Sequence, residues 1–422
     1  MAKKLTREDR GDVETKLRAF FKPSTPVNSF ELFSGRQTQS RQLVAAINQN
    51  GQHAILYGER GVGKTSLANI LFFLLKKPGW AEITPHVSCV RNDTYQTIWG
   101  RVFTGILDKA KQTRLPIPTS VKKILKPVRD LYVDYITIDV VVKVLSEIGE
   151  KSLLVVIIDE FDTVSDDSVR SAIADTIKYL SDRNSPCTVV VVGVADDVEG
   201  LISDHRSIER CLAQVPMPRM SRDELEDIVR KCLTVADMTI TVPALQEISR
   251  ISIGLPHYAH LLGLYSALGA VNDGSLRVTE ENVKGALATA LANADHTIQK
   301  LYHRATGSSQ TTAKYQQVLL ACAMADTNSL GFFSPADVRV PLSRILGKPA
   351  RIEHFSRHLH AFCESESGPV LTRITIKKHP QFRFDNALVQ PFALIKGLAE
   401  GMITEEDLKA TRDTNDPQQR LF

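Results

Sequence analysis

Apolar residues cluster in short continuous runs over the first half of this chain and recur at helical spacing over the second. Ala54-Ile55-Leu56-Tyr57 stops at Gly58, and its length suits a buried strand over 52–58. The stretch 65–75 then reads as a buried helix, and a second strand is expected at 83–90. Leu153 to Ile158 is an unbroken apolar run ending at Asp159, and 188–192 is another. Such runs suit parallel strands covered on both faces. Their alternation with helices, among them 136–148, predicts an α/β layered core. The stretch 113–135 interrupts the alternation. It carries Pro116, Pro118 and Pro127 with Lys122, Lys123, Lys126 and Arg129, and is expected to be an insertion or a short helical pair.

From Ser221 the pattern becomes helical. Ser221-Arg222-Asp223-Glu224 is a capping-box signature. Helices are expected at 222–234, 243–252 and 256–269, then from Thr279 with Leu287, Leu291, Ile298 and Leu301 on one face. Gly307-Ser308-Ser309 reads as a linker. Beyond it come helices at 312–325, 335–346 and 350–363. Alternation follows at Ile374 and Ile376, a turn at His379-Pro380, then Phe382 and Phe384. Three helices and a hairpin is the order of a winged helix. The expected division is an N-terminal arm over 1–28, an α/β core over 29–220, a helical lid over 221–306, a winged helix over 311–400 and a polar tail over 401–422.

Composition narrows the class without naming a partner. With 43% hydrophobic and 24% charged residues the chain has the make-up of a globular protein. A net charge of +4 means that any basic patch is local. Met1-Ala2-Lys3-Lys4 turns polar at once and no apolar run reaches membrane-spanning length. A cytoplasmic protein with no membrane partner is therefore expected. The six cysteines, Cys89, Cys187, Cys211, Cys232, Cys322 and Cys363, form no C-x-x-C pair. Scattered reduced thiols fit that spacing better than a zinc site or a disulfide framework.

The sharpest chemical signal is Gly58-Glu59-Arg60-Gly61-Val62-Gly63-Lys64-Thr65, which fits G-x-x-x-x-G-K-[ST] between a strand and a helix. Glycines let the backbone wrap phosphates, and amides at a helix N-terminus point at them. Lys64 is expected to reach the β- and γ-phosphates and the Thr65 hydroxyl to bind magnesium, with Ser66 next in the helix. The implied cofactors are ATP and Mg²⁺. The strand at 153–158 ends in Asp159-Glu160. Asp159 there can hold magnesium and Glu160 can act as general base on the attacking water.

Together these residues resemble the AAA+ ATPases, and within them the origin-recognition and initiator branch close to the STAND signalling NTPases. Phe33-Ser34-Gly35-Arg36 is similar to the entry segment that approaches the nucleotide base. Gly254-Leu255-Pro256-His257 is similar to the family's G-x-P segment, which places Pro256 and His257 near the nucleotide. The resemblance also implies an arginine finger in Asp204-His205-Arg206-Ser207-Ile208-Glu209-Arg210, with Arg210 first and Arg206 second. A surface ion pair is the competing reading of either arginine. Departures exist. The strand end Val192-Gly193-Val194-Ala195-Asp196-Asp197 has no Asn or Thr, with Asp196 the nearest substitute. No arginine follows Gly254 in the lid helix, and Asn386 stands where a phosphate-contacting His is common. They imply slow or oligomer-dependent hydrolysis.

Residues 314–398 carry five lysines and six arginines against three aspartates and three glutamates, a surplus of five positive charges. Arg351, His354, Arg357 and His358 recur at three- and four-residue spacing, a basic helix face suited to a major groove. Lys377 and Lys378 on the hairpin suit phosphates. Two function classes stay open at this stage. One is a nucleotide-dependent homo-oligomer assembling on duplex DNA, as in initiators or transposition regulators. The other is a STAND-type signalling ATPase, for example in bacterial anti-phage defence, acting through a protein effector on another chain. A chaperone-like remodeler is a third.

Overall fold

The computed structural model describes residues 6–75, 80–113, 119, 121, 123, 136–195, 201–202, 208–307, 314–328, 330–364, 369–376 and 379–412. The chain divides into two compact units. One, here the sheet unit, comprises Pro26–Glu59 and Gly63–Met217. The other, the helical unit, comprises Met1–Thr25, Arg60–Val62 and Pro218–Phe422.

The sheet unit is built on parallel strands β1 (His53–Gly58), β2 (Ala81–Ile83), β3 (His86–Ser88), β4 (Ser152–Asp159), β5 (Cys187–Val194) and β6 (Leu212–Pro216), in the order β2-β4-β5-β1-β6, with β3 also pairing β4. The apolar runs explain the interior strands. Every β4 residue from Leu154 to Asp159 is buried, as is β5 from Cys187 to Gly193. The single strand expected at 83–90 is two short ones. Pro85 has no N–H for a ladder, and its carbonyl instead accepts from the Ile157 amide at 2.9 Å. The edge strand β6 was not anticipated, since Leu212, Val215 and their neighbours alternate weakly rather than forming a run.

Helices Lys64–Leu74, Tyr95–Gln112, Ile138–Gly149 and Asp167–Asp182 belong to this unit. Trp99, Phe103, Val144 and Ile173 pack into one core with Val156, Ile158 and Val191. Most of the stretch expected to be an insertion lies outside the described residues.

In the helical unit, Arg222–Val235 begins with the expected capping box on Ser221 and Glu224. Val242–Ser252 and Pro256–Asn272 follow. The helix expected from Thr279 is two, Glu280–Ala292 and His296–Thr306, because the Asp295 side chain accepts from the Thr297 amide and restarts the helix. The buried face is also shifted to Val283, Ala286, Ala290, Ile298, Tyr302 and Ala305.

The stretch expected as an arm divides between the two units, with Pro26 onward in the sheet unit. Arg7–Phe20 is a helix with a capping box on Thr6 and Asp9, and it groups with the helical unit. Phe21 is buried there against His260, with ring centroids 6.1 Å apart.

Helices Tyr315–Met324, Pro335–Leu346 and Ile352–Ala361 precede an antiparallel pair, Leu371–Ile376 with His379–Phe384. His379 and Pro380, expected in a turn, are inside the second strand, opposite Ile376 and Thr375. Phe382 and Phe384 are buried with Phe333.

Candidate functional site

Strand β1 delivers the glycine-rich loop. Gly58 has φ +148, and a Cβ on it would lie 2.5 Å from the Met217 carbonyl oxygen, so only glycine lets β1 end here. Gly63, at φ +94, is the N-cap of helix Lys64–Leu74. No side chain caps this helix start, which suits a helix end that receives an anion. Lys64 is buried, and its Nζ donates to the carbonyls of Gly58 and Glu59 at 3.0 and 2.8 Å. The Ser66 hydroxyl accepts from the Val27 amide at 3.1 Å.

Strand β4 delivers the acids. The Asp159 side chain is only 3% exposed. Its Oδ1 accepts from the Glu160 amide at 2.8 Å, its Oδ2 bonds His86 Nε2 at 3.2 Å, and the Thr65 hydroxyl is a third partner. Burial pushes the Asp159 carboxyl up. The bonds from His86, the Glu160 amide and Thr65 outweigh it and hold the group below the usual aspartate value. Asp159 is therefore a carboxylate at neutral pH. Thr65 and Asp159 are hard oxygen donors already in contact, a set that suits magnesium, which takes few protein ligands and completes its shell with phosphate and water. Among the described residues no cluster of three or more His, Cys, Asp or Glu could hold a metal by side chains alone.

Glu160 is exposed and sits at φ 54, ψ 33, a left-handed conformation rare for a side-chain-bearing residue. The following turn holds it there. Its carbonyl accepts from the Thr163 amide and hydroxyl at 3.0 and 2.7 Å, and Phe161 is fully buried. Arg170 donates to the carbonyls of Val164 and Asp162. The backbone is thus fixed while the carboxylate is free to meet solvent.

Two residues at this site escaped the sequence reading. Asp162 accepts from the Val194 amide at 2.8 Å and ties the end of β5 to the acidic turn. His86 is brought to Asp159 only by parallel pairing of β3 with β4, and nothing local in the sequence marks it.

The remaining expected residues scatter. Arg210 lies in a short turn before β6, and its Nη2 bonds Asp182 Oδ1 at 2.6 Å. That is an exposed ion pair, with side chains 72% and 41% accessible. Arg206 and Asp196 lie outside the described residues. Arg60, Gly61 and Val62 group with the helical unit, as do Pro256 and His257. Pro256 opens its helix, and His257 Nδ1 bonds the Pro23 carbonyl at 2.6 Å, so that nitrogen is taken within its own unit. Asn386 caps locally, its Oδ1 accepting from the Leu388 amide at 3.1 Å.

Of the basic helix face, Arg351, His354 and Arg357 are exposed. His358 is not: it is 3% exposed and turned into the core of the C-terminal helices against Tyr315, off the face on which it was expected. The three-residue spacing from Phe355 puts it on the apolar side. Lys377 and Lys378 lie outside the described residues.

Residues 26–325 match the family model described as Novel STAND NTPase 1. No curated protein matches the chain. Among solved structures the chain is similar to the Walker-type ATPase PABY2304 of Pyrococcus abyssi. The TM-score is 0.54 at 14% identity, over 89% of this chain and 99% of that one. It is also similar to the ORC2 protein of Aeropyrum pernix, solved as ADPNP–ADP complexes, with a TM-score of 0.50 at 16% identity over 94% and 98%. At these identities the likeness is one of fold, that of a P-loop ATPase with a parallel-sheet core.

Proposed function

Because this chain belongs to the Novel STAND NTPase 1 family, we propose that it is an ATP-operated signalling switch that hydrolyses its nucleotide slowly and acts through a partner. The observation that supports this reading is buried Lys64 on the Gly58 and Glu59 carbonyls of a glycine-rich loop, with the Asp159 carboxylate at the end of β4. Lys64 exchanges two carbonyl partners for phosphate oxygens. Thr65 and Asp159 hold magnesium, which when bound neutralises phosphate charge. Glu160, projecting from its fixed turn, takes a proton from the attacking water.

Nucleotide state then sets the position of a lid and a winged-helix module. These two are joined by specific bonds within the helical unit. Tyr258 Oη donates to the Leu388 carbonyl at 2.7 Å, and Arg219 Nη1 donates to Gln390 Oε1 at 2.7 Å. Gln390 is fully buried and its amide reaches the Ala323 carbonyl at 3.0 Å. Such a linkage makes lid and module respond together. A homo-oligomer in which Arg210 or Arg206 completes a neighbour's site would account for slow turnover in the single chain.

A second reading is duplex DNA as the partner, favoured by the exposed Arg351, His354 and Arg357. The protein-partner reading stands first because His358 is withdrawn from that face and the family is a signalling one. Gel filtration of wild type, Lys64→Ala and Glu160→Gln, with and without ATP and with and without duplex DNA, tests both. ATP-dependent assembly that Glu160→Gln prolongs and Lys64→Ala abolishes supports the switch. Assembly only on DNA moves the second reading to first. Saturable ATP binding by Lys64→Ala equal to wild type removes both.

A further inference from the structure

We propose that His86 is a positioning residue that fixes the magnesium-holding carboxylate of Asp159; this rests on the ATP–magnesium reading above. The two residues are far apart in sequence and meet because β3 runs parallel beside β4, with His86 opposite Ile157, Val87 opposite Ile158 and Ser88 opposite Asp159. The Cys89 amide donates to the Asp159 carbonyl at 2.8 Å and extends that pairing to the acid itself. Side chains alternate across a strand. Val87 enters the core, and His86 turns to the other face.

The direction of the bond follows from charge. A carboxylate offers no proton, so His86 Nε2 donates to Oδ2 at 3.2 Å. Oδ1 meanwhile accepts the Glu160 amide at 2.8 Å. With one donor on each oxygen the carboxylate is held at both ends. Without His86 the carboxylate loses its bond at Oδ2 and is held less tightly about its last torsion. Outer partners of this kind orient metal-bound carboxylates and tune affinity.

His86 is poorly placed to be a pillar of the fold. Its side chain is 26% exposed, whereas that of Asp159 is 3% exposed. It lies on a groove with Phe72, Phe73 and Asn69 from the P-loop helix and Asp108 from helix Tyr95–Gln112. Its removal admits water beside Asp159 rather than opening a sealed cavity.

A fluorescent ATP analogue titrated into wild type, His86→Ala, His86→Gln, His86→Phe and Lys64→Ala, each in magnesium and in EDTA, reads the effect directly. Magnesium should tighten binding to wild type, and His86→Ala should lose about ten-fold of that gain. Affinity in EDTA should stay at the wild-type level. The Gln side-chain amide reaches the same point as Nε2, so His86→Gln should recover most of the gain, and His86→Phe, which keeps a ring but no donor, should not. Full magnesium gain in His86→Ala overturns the proposal. So does an equal loss with and without magnesium, which marks a packing role. If His86→Ala does not fold, full gain in His86→Phe overturns it instead. Failure of the underlying reading looks different: wild type then binds no better than Lys64→Ala in either buffer.

Discussion

The ring of His358 packs edge-on against Tyr315, centroids 4.8 Å apart, in the core of the C-terminal helices. Arg357, its neighbour in sequence, points to solvent. The two residues therefore respond to different assays. In a salt titration against duplex DNA, Arg351→Ala and Arg357→Ala should each lower the slope of log affinity by about one. His358→Ala should leave the slope alone and lower stability by roughly 2–4 kcal/mol, as for other buried rings cut to Ala. Unchanged slopes in both arginine variants would remove DNA as the partner of this helix.

Arg210 and Asp182 form an exposed pair, and exposed pairs contribute between zero and about 1 kcal/mol. Arg210→Ala should shift the urea midpoint very little. If Arg210 acts on a neighbouring subunit, the same variant should bind ATP normally and lose the concentration-dependent part of its turnover. Turnover that still rises with protein concentration assigns Arg210 to the ion pair alone.

Gly254 is the sharpest steric test in the helical unit. Its φ is +76, and a Cβ there would stand 2.6 Å from the Arg219 Cβ and 2.9 Å from the Met220 carbonyl. Backbone strain and overlap together should cost Gly254→Ala about 2–4 kcal/mol. Arg219 also holds Gln390, so the displaced segment should loosen the C-terminal helices as well. Amide exchange across Val389–Ala399 would register this; unaltered protection there would contradict it.

Two buried histidines predict the acid response. Burial lowers His53 to about 4, and burial followed by the charge of His257 lowers His260 to about 4. Each ring nitrogen Nδ1 accepts an amide, from Val189 and Lys22 respectively. An unfolded histidine titrates near 6.5, so between pH 6.5 and about 4 the unfolded chain takes up protons that the folded chain refuses. Stability is full above pH 6.5, falls as pH drops through that window, and levels below it. Each group accounts for a loss of at most about 3 kcal/mol. Urea midpoints at pH 7.5, 6 and 5 should fall in order, and His53→Leu should flatten the fall while starting from a lower value. A level profile from pH 7.5 to 5 would refute the assignment.

The phosphate loop and Asp159-Glu160 were legible because their chemistry is written in consecutive residues beside unbroken apolar runs. The helix order and the hairpin near the C-terminus were legible for the same local reason. What escaped was decided at a distance. His86 earns its place only through the register of β3 on β4. The edge strand β6 has one face half open, so it lacks the run that marks an interior strand. Helix Arg7–Phe20 buries Leu17 alone, too few apolar positions to announce a helix that packs. Asp295 breaks a helix whose apolar spacing would carry on through it.

Phe21 occupies the space that the missing side chain of Gly263 leaves open: a Cβ on that glycine would come within 2.5 Å of the ring. The Lys22 amide and the Pro23 carbonyl fasten the same stretch to His260 and His257. The family match begins just downstream, at residue 26. A chain trimmed to that boundary would leave a phenylalanine-sized notch in helix Pro256–Asn272 and two imidazoles stripped of their partners. Recombinant work guided by homology alone would thus begin from a damaged protein.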